Sequence, residues 1–270
     1  MSAIKKYVLE ESEVDKLLIA IDNMNAKDLD KQGWLDSKAK PKSVIEKYII
    51  KVMKLLGHAD ADGYEWWIHE GQISNAEGNS PHFDKNETLA EEKGIIKCPK
   101  SVLVTYLSSS GQPTNICDIK PKDDNLKDTI EECNYFIWSY PKEGNIIQFD
   151  GNLLHGVPPG NPNDDRVTFM INVWDKKEDC DIKKRCPYED AEDISLTDGK
   201  IKHPIRDKID IDYNEGAIFV GGLGAYQLQI PTLKSASKEE DFYIARKIQK
   251  VYFATNEEEF KKNQEKLKND

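Results

Sequence analysis

The sequence predicts a mainly β chain with some α structure: a jelly-roll core over about residues 63–175, buttressed by N-terminal helices and followed by a C-terminal helical extension. Three observations predict it. Between Gly63 and Asp175, short runs rich in β-branched and aromatic residues alternate with Gly, Pro, Asn and Asp. Ahead of them, two stretches repeat apolar residues at helical spacing. The length of 270 residues suits one large domain or two small ones, at roughly 150 residues each.

In chain order, residues 8–23 place Val14, Leu17, Leu18 and Ile21 on one helical face. Residues 43–56 do the same with Val44, Ile45, Tyr48, Ile49, Val52 and Leu55, opened by Ser43 as an N-cap and closed by Gly57. These helices, within 8–57, buttress the strand-rich region. Strands are expected at 64–73, 101–107, 115–119, 135–140, 145–149, 153–157 and 166–174. Many short strands at this spacing make a sandwich or barrel, such as an eight-stranded jelly roll. Residues 176–215 are charged and turn-rich, a surface excursion. Residues 217–230 add a strand or two, completing a domain over 1–230. The extension, 231–270, has a helix at 239–252 and a Lys/Glu-rich tail.

Composition narrows the function. With 38 basic and 49 acidic residues the net charge is −11, so nucleic acid is not expected as a partner. Five Trp, eleven Tyr and eight Phe are too many for a disordered chain. No apolar run reaches the roughly 18 residues of a membrane span. The first residues are acidic and periodic, unlike a signal peptide. The cysteines (98, 117, 133, 180 and 186) include no CxxC pair, which fits reduced thiols in a cytoplasmic protein. Cys180 and Cys186 lack a second Cys/His pair at zinc-finger spacing and read as plain thiols.

The chemistry starts at His82-Phe-Asp84. In an extended segment, residues i and i+2 face one side, so an imidazole and a carboxylate point together. A second copy, His58-Ala-Asp60, follows a helix end and reads as a polar loop. His155 lies beyond the Asp150-Gly151 turn. Two imidazoles and one carboxylate form the facial triad of non-haem Fe(II) oxygenases, which leaves iron positions open. Eleven residues later, Arg166, Thr168, Met170, Asn172 and Trp174 alternate on one strand face. An inward Arg is costly unless an anion arrives, and a guanidinium fork matches a carboxylate, with Thr168 adding a hydrogen bond. The competing reading puts Arg166 at the surface beside Asp164 and Asp165. Asn172 and Trp174 read first as core, then as substrate contacts.

His82-x-Asp84, His155 and Arg166-x-Thr168, with Val104-Thr-Tyr106-Leu and Gly111-Gln-Pro-Thr114, resemble the Fe(II)/2-oxoglutarate-dependent dioxygenases. The resemblance covers residues 64–174. It implies the double-stranded β-helix, the cupin-like form of the jelly roll. It also implies His82, Asp84 and His155 as catalytic iron ligands, and Arg166, Thr168 and Tyr106 as the 2-oxoglutarate pocket. The implied reaction consumes O2 and 2-oxoglutarate, releases succinate and CO2, and hydroxylates a C–H bond, with ascorbate as a possible support. Asp84 at the carboxylate position disfavours halogenation.

The substrate is expected to be a small molecule or peptide: an amino acid, a protein side chain or a metabolite. Loops 75–80, 85–97 and 120–132 face it, with 85–97 long enough for a lid. Two alternatives stay open. A non-catalytic cupin-like module would hold a metal or small acid and turn over no 2-oxoglutarate. A 2-oxoglutarate-independent iron oxygenase would use Arg166 on the substrate's own carboxylate. His69 reads as a satisfied sheet histidine, His203 as solvated, and Gly221-Gly-x-Gly224 as a flexible turn. Trp66 and Trp67 face opposite sides, one into the core.

Overall fold

A computed structural model of the chain describes residues 4–70, 78–121, 131–133, 136–186, 217–218, 225–230, 242–245 and 249–254. The N-terminal part contains β1 (Ile4–Val8), α1 (Glu11–Ala26), β2 (Gln32–Asp36) and α2 (Val44–Leu55). Then come β3 (Gly63–His69), β4 (Asn79–His82), α3 (Glu87–Lys93), β5 (Ser101–Tyr106), β6 (Thr114–Cys117), β7 (Glu131–Cys133) and β8 (Phe136–Ser139). β9 (Asn145–Asp150), β10 (Leu154–Val157) and β11 (Thr168–Trp174) complete the core. β12 (Ala217–Ile218), β13 (Ala225–Ile230), β14 (Phe242–Ala245) and β15 (Gln249–Ala254) lie C-terminal to it.

Two antiparallel sheets face each other. The larger runs β1-β9-β5-β11-β3-β2 and the smaller β14-β8-β6-β10-β4. From β3 to β6 the chain changes sheet at every strand, and from β8 to β11 it does so again. That path is a jelly roll, and it brings His82 and His155, distant in sequence, onto neighbouring strands. β12, β13, β15 and β7 form a separate four-stranded sheet.

Alternation gives the larger sheet two unlike faces. Its outer face, with Tyr64, Trp66, Ile68, Leu103, Ile146, Phe169, Ile171 and Val173, packs in one core with the helices. α2 supplies Val44, Ile45, Tyr48, Ile49, Val52 and Met53, all buried. A 12-residue helix is marginal alone, so this packing, at about 1.5–3 kcal/mol per large side chain, is what holds it. Ser43 caps it, accepting from the Glu46 amide at 3.2 Å. Phe169 meets Tyr48 edge-on (5.5 Å) and stacks on Trp66 (5.7 Å). The inner face presents Val102, Val104, Tyr106, Ile147, Phe149 and Met170 to Ile116 and Ile137 of the smaller sheet. Trp66 is thus the core indole and Trp67 the one beside the inter-sheet space.

Several expectations change. The helix placed over 239–252 is not formed: β14 pairs with β8, and β15 pairs with β13 and β7. Tyr243, Ile244, Ile248 and Val251 fit a helical period, but an unpaired edge at β8 offers cross-strand partners that override local periodicity. The rest of 231–270 lies outside the described residues, as do 187–215 of the charged excursion, His203 and Gly221–Gly224.

Residues 177–186 are not a free excursion. They run beside β2, where the Trp34 amide donates to the Lys184 carbonyl (2.9 Å). Arg185 clasps Glu46 through Nε (2.6 Å) and an Nη2 (2.5 Å). No helix among the described residues is long and apolar enough to cross a membrane.

Candidate active site

β4 and β10 pair antiparallel with His82 directly opposite His155. Opposed residues put their side chains on one face, so the two imidazoles meet, with ring centroids 4.5 Å apart. The register shifts between His155 and Val157. A Cβ on the intervening Gly156 would lie 2.7 Å from the Asn79 carbonyl oxygen. Glycine there lets β4 close on β10 and seat His82.

Asp84 lies just past β4 and joins the pair. Its Oδ1 is 3.3 Å from His82 Nε2 and 3.6 Å from His155 Nε2. One ligand atom from each of the three falls within 4.8 Å of the others, the one such metal-suited group among the described residues. Exposure falls across the group from His82 (32%) to Asp84 (9%) and His155 (3%), so the site opens on the His82 side. His155 Nδ1 donates to the Leu153 carbonyl (2.9 Å), which leaves the Nε2 lone pair toward the site. Phe149 holds the ring edge-on at 5.0 Å. Burial opposes ionisation of Asp84, but the neighbouring His155 and His82 hold it well below the usual carboxylate range. Asp84 Oδ2 and His155 Nε2 are buried without hydrogen-bond partners. Two imidazoles and a carboxylate with orphaned, converging lone pairs fit a divalent first-row metal.

Tyr106, Thr168 and His69 stand abreast on the inner face, paired in register. Arg166, just before β11, is 8% exposed. Its guanidinium donates to Thr114 Oγ1 (3.1 Å) and Thr168 Oγ1 (3.4 Å) and sits 5.8 Å from the Tyr106 ring. Its Nε has no partner, and among the described residues no carboxylate pairs with it. Burial lowers its pKa, with Tyr106 opposing. The Tyr106 hydroxyl donates to the Ser139 carbonyl (2.9 Å) and lies 2.8 Å from Thr114 Oγ1. Burial raises its pKa against the pull of Arg166. Asp164 instead accepts from Ser110 (3.4 Å), so the surface pairing of Arg166 is not formed. Gly111 has φ +98°, and a Cβ there would lie 2.8 Å from Arg166 Cβ. This turn therefore lies directly on the arginine stem. A buried cation with only neutral hydroxyl partners fits a carboxylate ligand.

Asn172 and Trp174 lie further along β11 and both donate to Glu65 Oε2, at 3.3 and 2.9 Å. Burial raises the Glu65 pKa, those two hydrogen bonds oppose it, and the Asp84 charge adds to it. Trp174 also packs with Trp34 and Cys180.

Other sequence expectations resolve differently. His58 does lie in the loop between α2 and β3, but its ring is buried and receives the Gln148 amide on Nε2 (2.6 Å). Its partner in sequence, Asp60, is exposed. His69 faces the site: burial and then Arg166 lower its pKa. Loop 85–97 forms α3, capped by Asn86 onto the Leu89 amide (2.7 Å) and tied by Asn86 Nδ2 to the Asp179 carbonyl (3.0 Å). It is docked on the 179–181 segment and does not hang as a free lid. Sequence reasoning assigned no role to Thr114 or Glu65. Thr114 closes the Gly-Gln-Pro-Thr turn, which carried a signal, whereas Glu65 gave none.

No family model matches this chain, and no curated protein matches it. Solved structures do. A prolyl-4-hydroxylase from Pseudomonas putida is 13% identical, covering 64% of this chain and 88% of its own, with a TM-score of 0.42. The viral collagen prolyl hydroxylase of Paramecium Bursaria Chlorella virus-1, in a 2-oxoglutarate complex, is 16% identical over 64% and 96%, with a TM-score of 0.37. HygX from Streptomyces hygroscopicus, with nickel and 2-oxoglutarate bound, is 12% identical over 63% and 81%, with a TM-score of 0.39. The chemistry of the site rests on its own side chains.

Proposed function

We propose that this protein is an Fe(II)- and 2-oxoglutarate-dependent oxygenase that hydroxylates a C–H bond of an amino acid, a peptide side chain or a small metabolite. One observation carries the reading. A buried Arg166, with no counter-ion among the described residues, shares the inter-sheet space with a His-Asp-His group whose Asp84 Oδ2 and His155 Nε2 are orphaned.

His82, Asp84 and His155 would hold the iron, and Arg166 the far carboxylate of 2-oxoglutarate. Iron, 2-oxoglutarate and dioxygen together supply an oxidative decarboxylation, to succinate and CO2, that drives the hydroxylation. The chain's own residues prepare the ground. The hydrogen bond to Leu153 fixes the His155 tautomer. The two imidazoles keep Asp84 ionised. Thr114 and Thr168 aim the guanidinium, with Tyr106 as its wall. Val102, Val104, Ile147, Phe149 and Met170 keep the space between dry, which strengthens every charge in it.

Among the described residues Cys98, Cys117, Cys180 and Cys186 carry thiols rather than disulfides, which suits a reducing cytoplasm. The test is succinate formation from 2-oxoglutarate with Fe(II) and ascorbate present. The wild-type protein is expected to release succinate, His155→Ala to release none, and Arg166→Leu to release far less at the same 2-oxoglutarate concentration. A wild-type protein without turnover, or variants as active as wild type, would contradict the proposal.

A further inference from the structure

The inner face of β3 carries Glu65, Trp67 and His69 in alternation, all partly buried. Glu65 and Trp67 belong neither to the ligand set nor to the Arg166 pocket, and His69 stands beside Thr168 at the edge of that pocket. Glu65 lies opposite Asn172 in register and takes both the Asn172 amide and the Trp174 indole on Oε2. Asn172 is 2% exposed, and its Oδ1 has no hydrogen-bond partner. The metal group stands close by. Phe149, which holds His155, is paired with Val102, and Val102 is paired with Asn172. Trp67 packs against the inter-sheet cluster one inward position along from Glu65, with its ring 6.5 Å from that of His69.

Charge counting then singles out Glu65. With a ferrous dication, a 2-oxoglutarate dianion, Asp84 and Arg166 in place, the charges sum to zero. Glu65 is left as one further carboxylate in a low-dielectric space, and among the described residues no cation pairs with it. An unpaired buried charge is costly, and two acceptors side by side, a carboxylate and an amide oxygen, call for a nitrogen donor. An indole wall also suits an organic cation.

We infer that the inner face of β3 is the substrate subsite, and that the substrate presents a protonated amine or a guanidinium to Glu65 and Asn172 with Trp67 alongside. This rests on the oxygenase reading, because it places the substrate beside that metal group.

The test is calorimetric titration of the anaerobic Fe(II) protein, first with 2-oxoglutarate and then with L-lysine, L-arginine and their N-acetyl amides. N-acetyl-L-norleucine amide and N-acetyl-L-citrulline amide, which carry no charge, serve as the neutral counterparts. At least one cation is expected to bind ten or more times tighter than its neutral counterpart, and the blocked forms separate a peptide side chain from a free amino acid. Glu65→Gln is expected to cut that affinity at least tenfold while leaving 2-oxoglutarate binding unchanged. Trp67→Leu, at a partly exposed position, should weaken the cation severalfold and guards against a folding defect in the first variant. If 2-oxoglutarate binds but no cation does, or the neutral counterparts bind equally well, the substrate inference alone is overturned. If 2-oxoglutarate itself fails to bind, the oxygenase reading and this inference both fall.

Discussion

His58-Ala-Asp60 and His82-Phe-Asp84 have the same residue types at the same spacing, and they lie on opposite sides of the larger sheet. His58 follows α2. Its amide donates to the Met53 carbonyl (2.8 Å), its carbonyl accepts from Tyr64 (2.9 Å), and its ring meets Gln148, which projects from the helix-covered face. The first closes the helix end, and the other two fasten it to the sheet. His82 sits across from a second histidine, with Asp84 turned into the same space and a lone pair of each of Asp84 and His155 left over. Identical local chemistry therefore becomes a clasp where it bonds to the sheet and a site where two imidazoles and a carboxylate converge.

Exchanging the roles of the two copies gives the largest expected effect. His82→Ala should lose more than about a hundredfold in iron affinity, since even residues that only orient a metal ligand cost about 10–100-fold. His58→Ala should keep its iron and lose about 1–3 kcal/mol of stability, because one of the two Gln148 amide N–H groups loses its buried acceptor while the other stays on Ser101 (3.2 Å). Iron content by mass spectrometry and thermal unfolding of both variants check this. Equal iron loss in the two would erase the distinction.

Arg166→Leu comes next. Truncating one partner of a buried charge pair costs about 2–5 kcal/mol, so 2-oxoglutarate affinity should fall roughly 30- to 4,000-fold. The iron content should not change, which separates the two halves of the site. Gly111→Ala should act more weakly on the same half. A side chain at φ +98° costs about 1–3 kcal/mol of stability, and pressure on the arginine stem should raise the 2-oxoglutarate KM by roughly tenfold.

The smallest effect is a pH dependence. Burial and Arg166 hold the His69 pKa below its ordinary value, so the unfolded chain takes up that proton first. Stability is therefore whole above about pH 6.5 and declines as pH falls below it. The Tm of His69→Gln should decline less between pH 7 and 5.5 than that of the wild type.

The parts of the fold visible in the sequence were those with strong periodicity. α2 buries seven of its 12 residues at helical spacing, and β5, β9 and β11 bury nearly all of theirs, so their apolar positions mark them. β1, with Lys5 and Lys6 among its five residues, has no such pattern and forms because β9 offers an edge. β14 and β15 answer to partners remote in sequence, which no local spacing reports. At the site, His82, Asp84, His155 and Arg166 stood out because their residue types are costly to bury without a purpose. Thr114 and Glu65 did not, because their significance lies wholly in which side chain faces them across a strand or a sheet. The adjacent Trp66 and Trp67 showed the alternation, but only the packed helices decide which indole is core.

The most direct measurement is an anaerobic optical titration of the Fe(II)-loaded protein with 2-oxoglutarate. Chelation beside His82, Asp84 and His155 is expected to raise a weak visible charge-transfer band that saturates at one equivalent, and Arg166→Leu is expected to shift its midpoint to much higher 2-oxoglutarate. An iron-loaded protein that develops no band, or a band indifferent to Arg166, would contradict the paired metal and anion site.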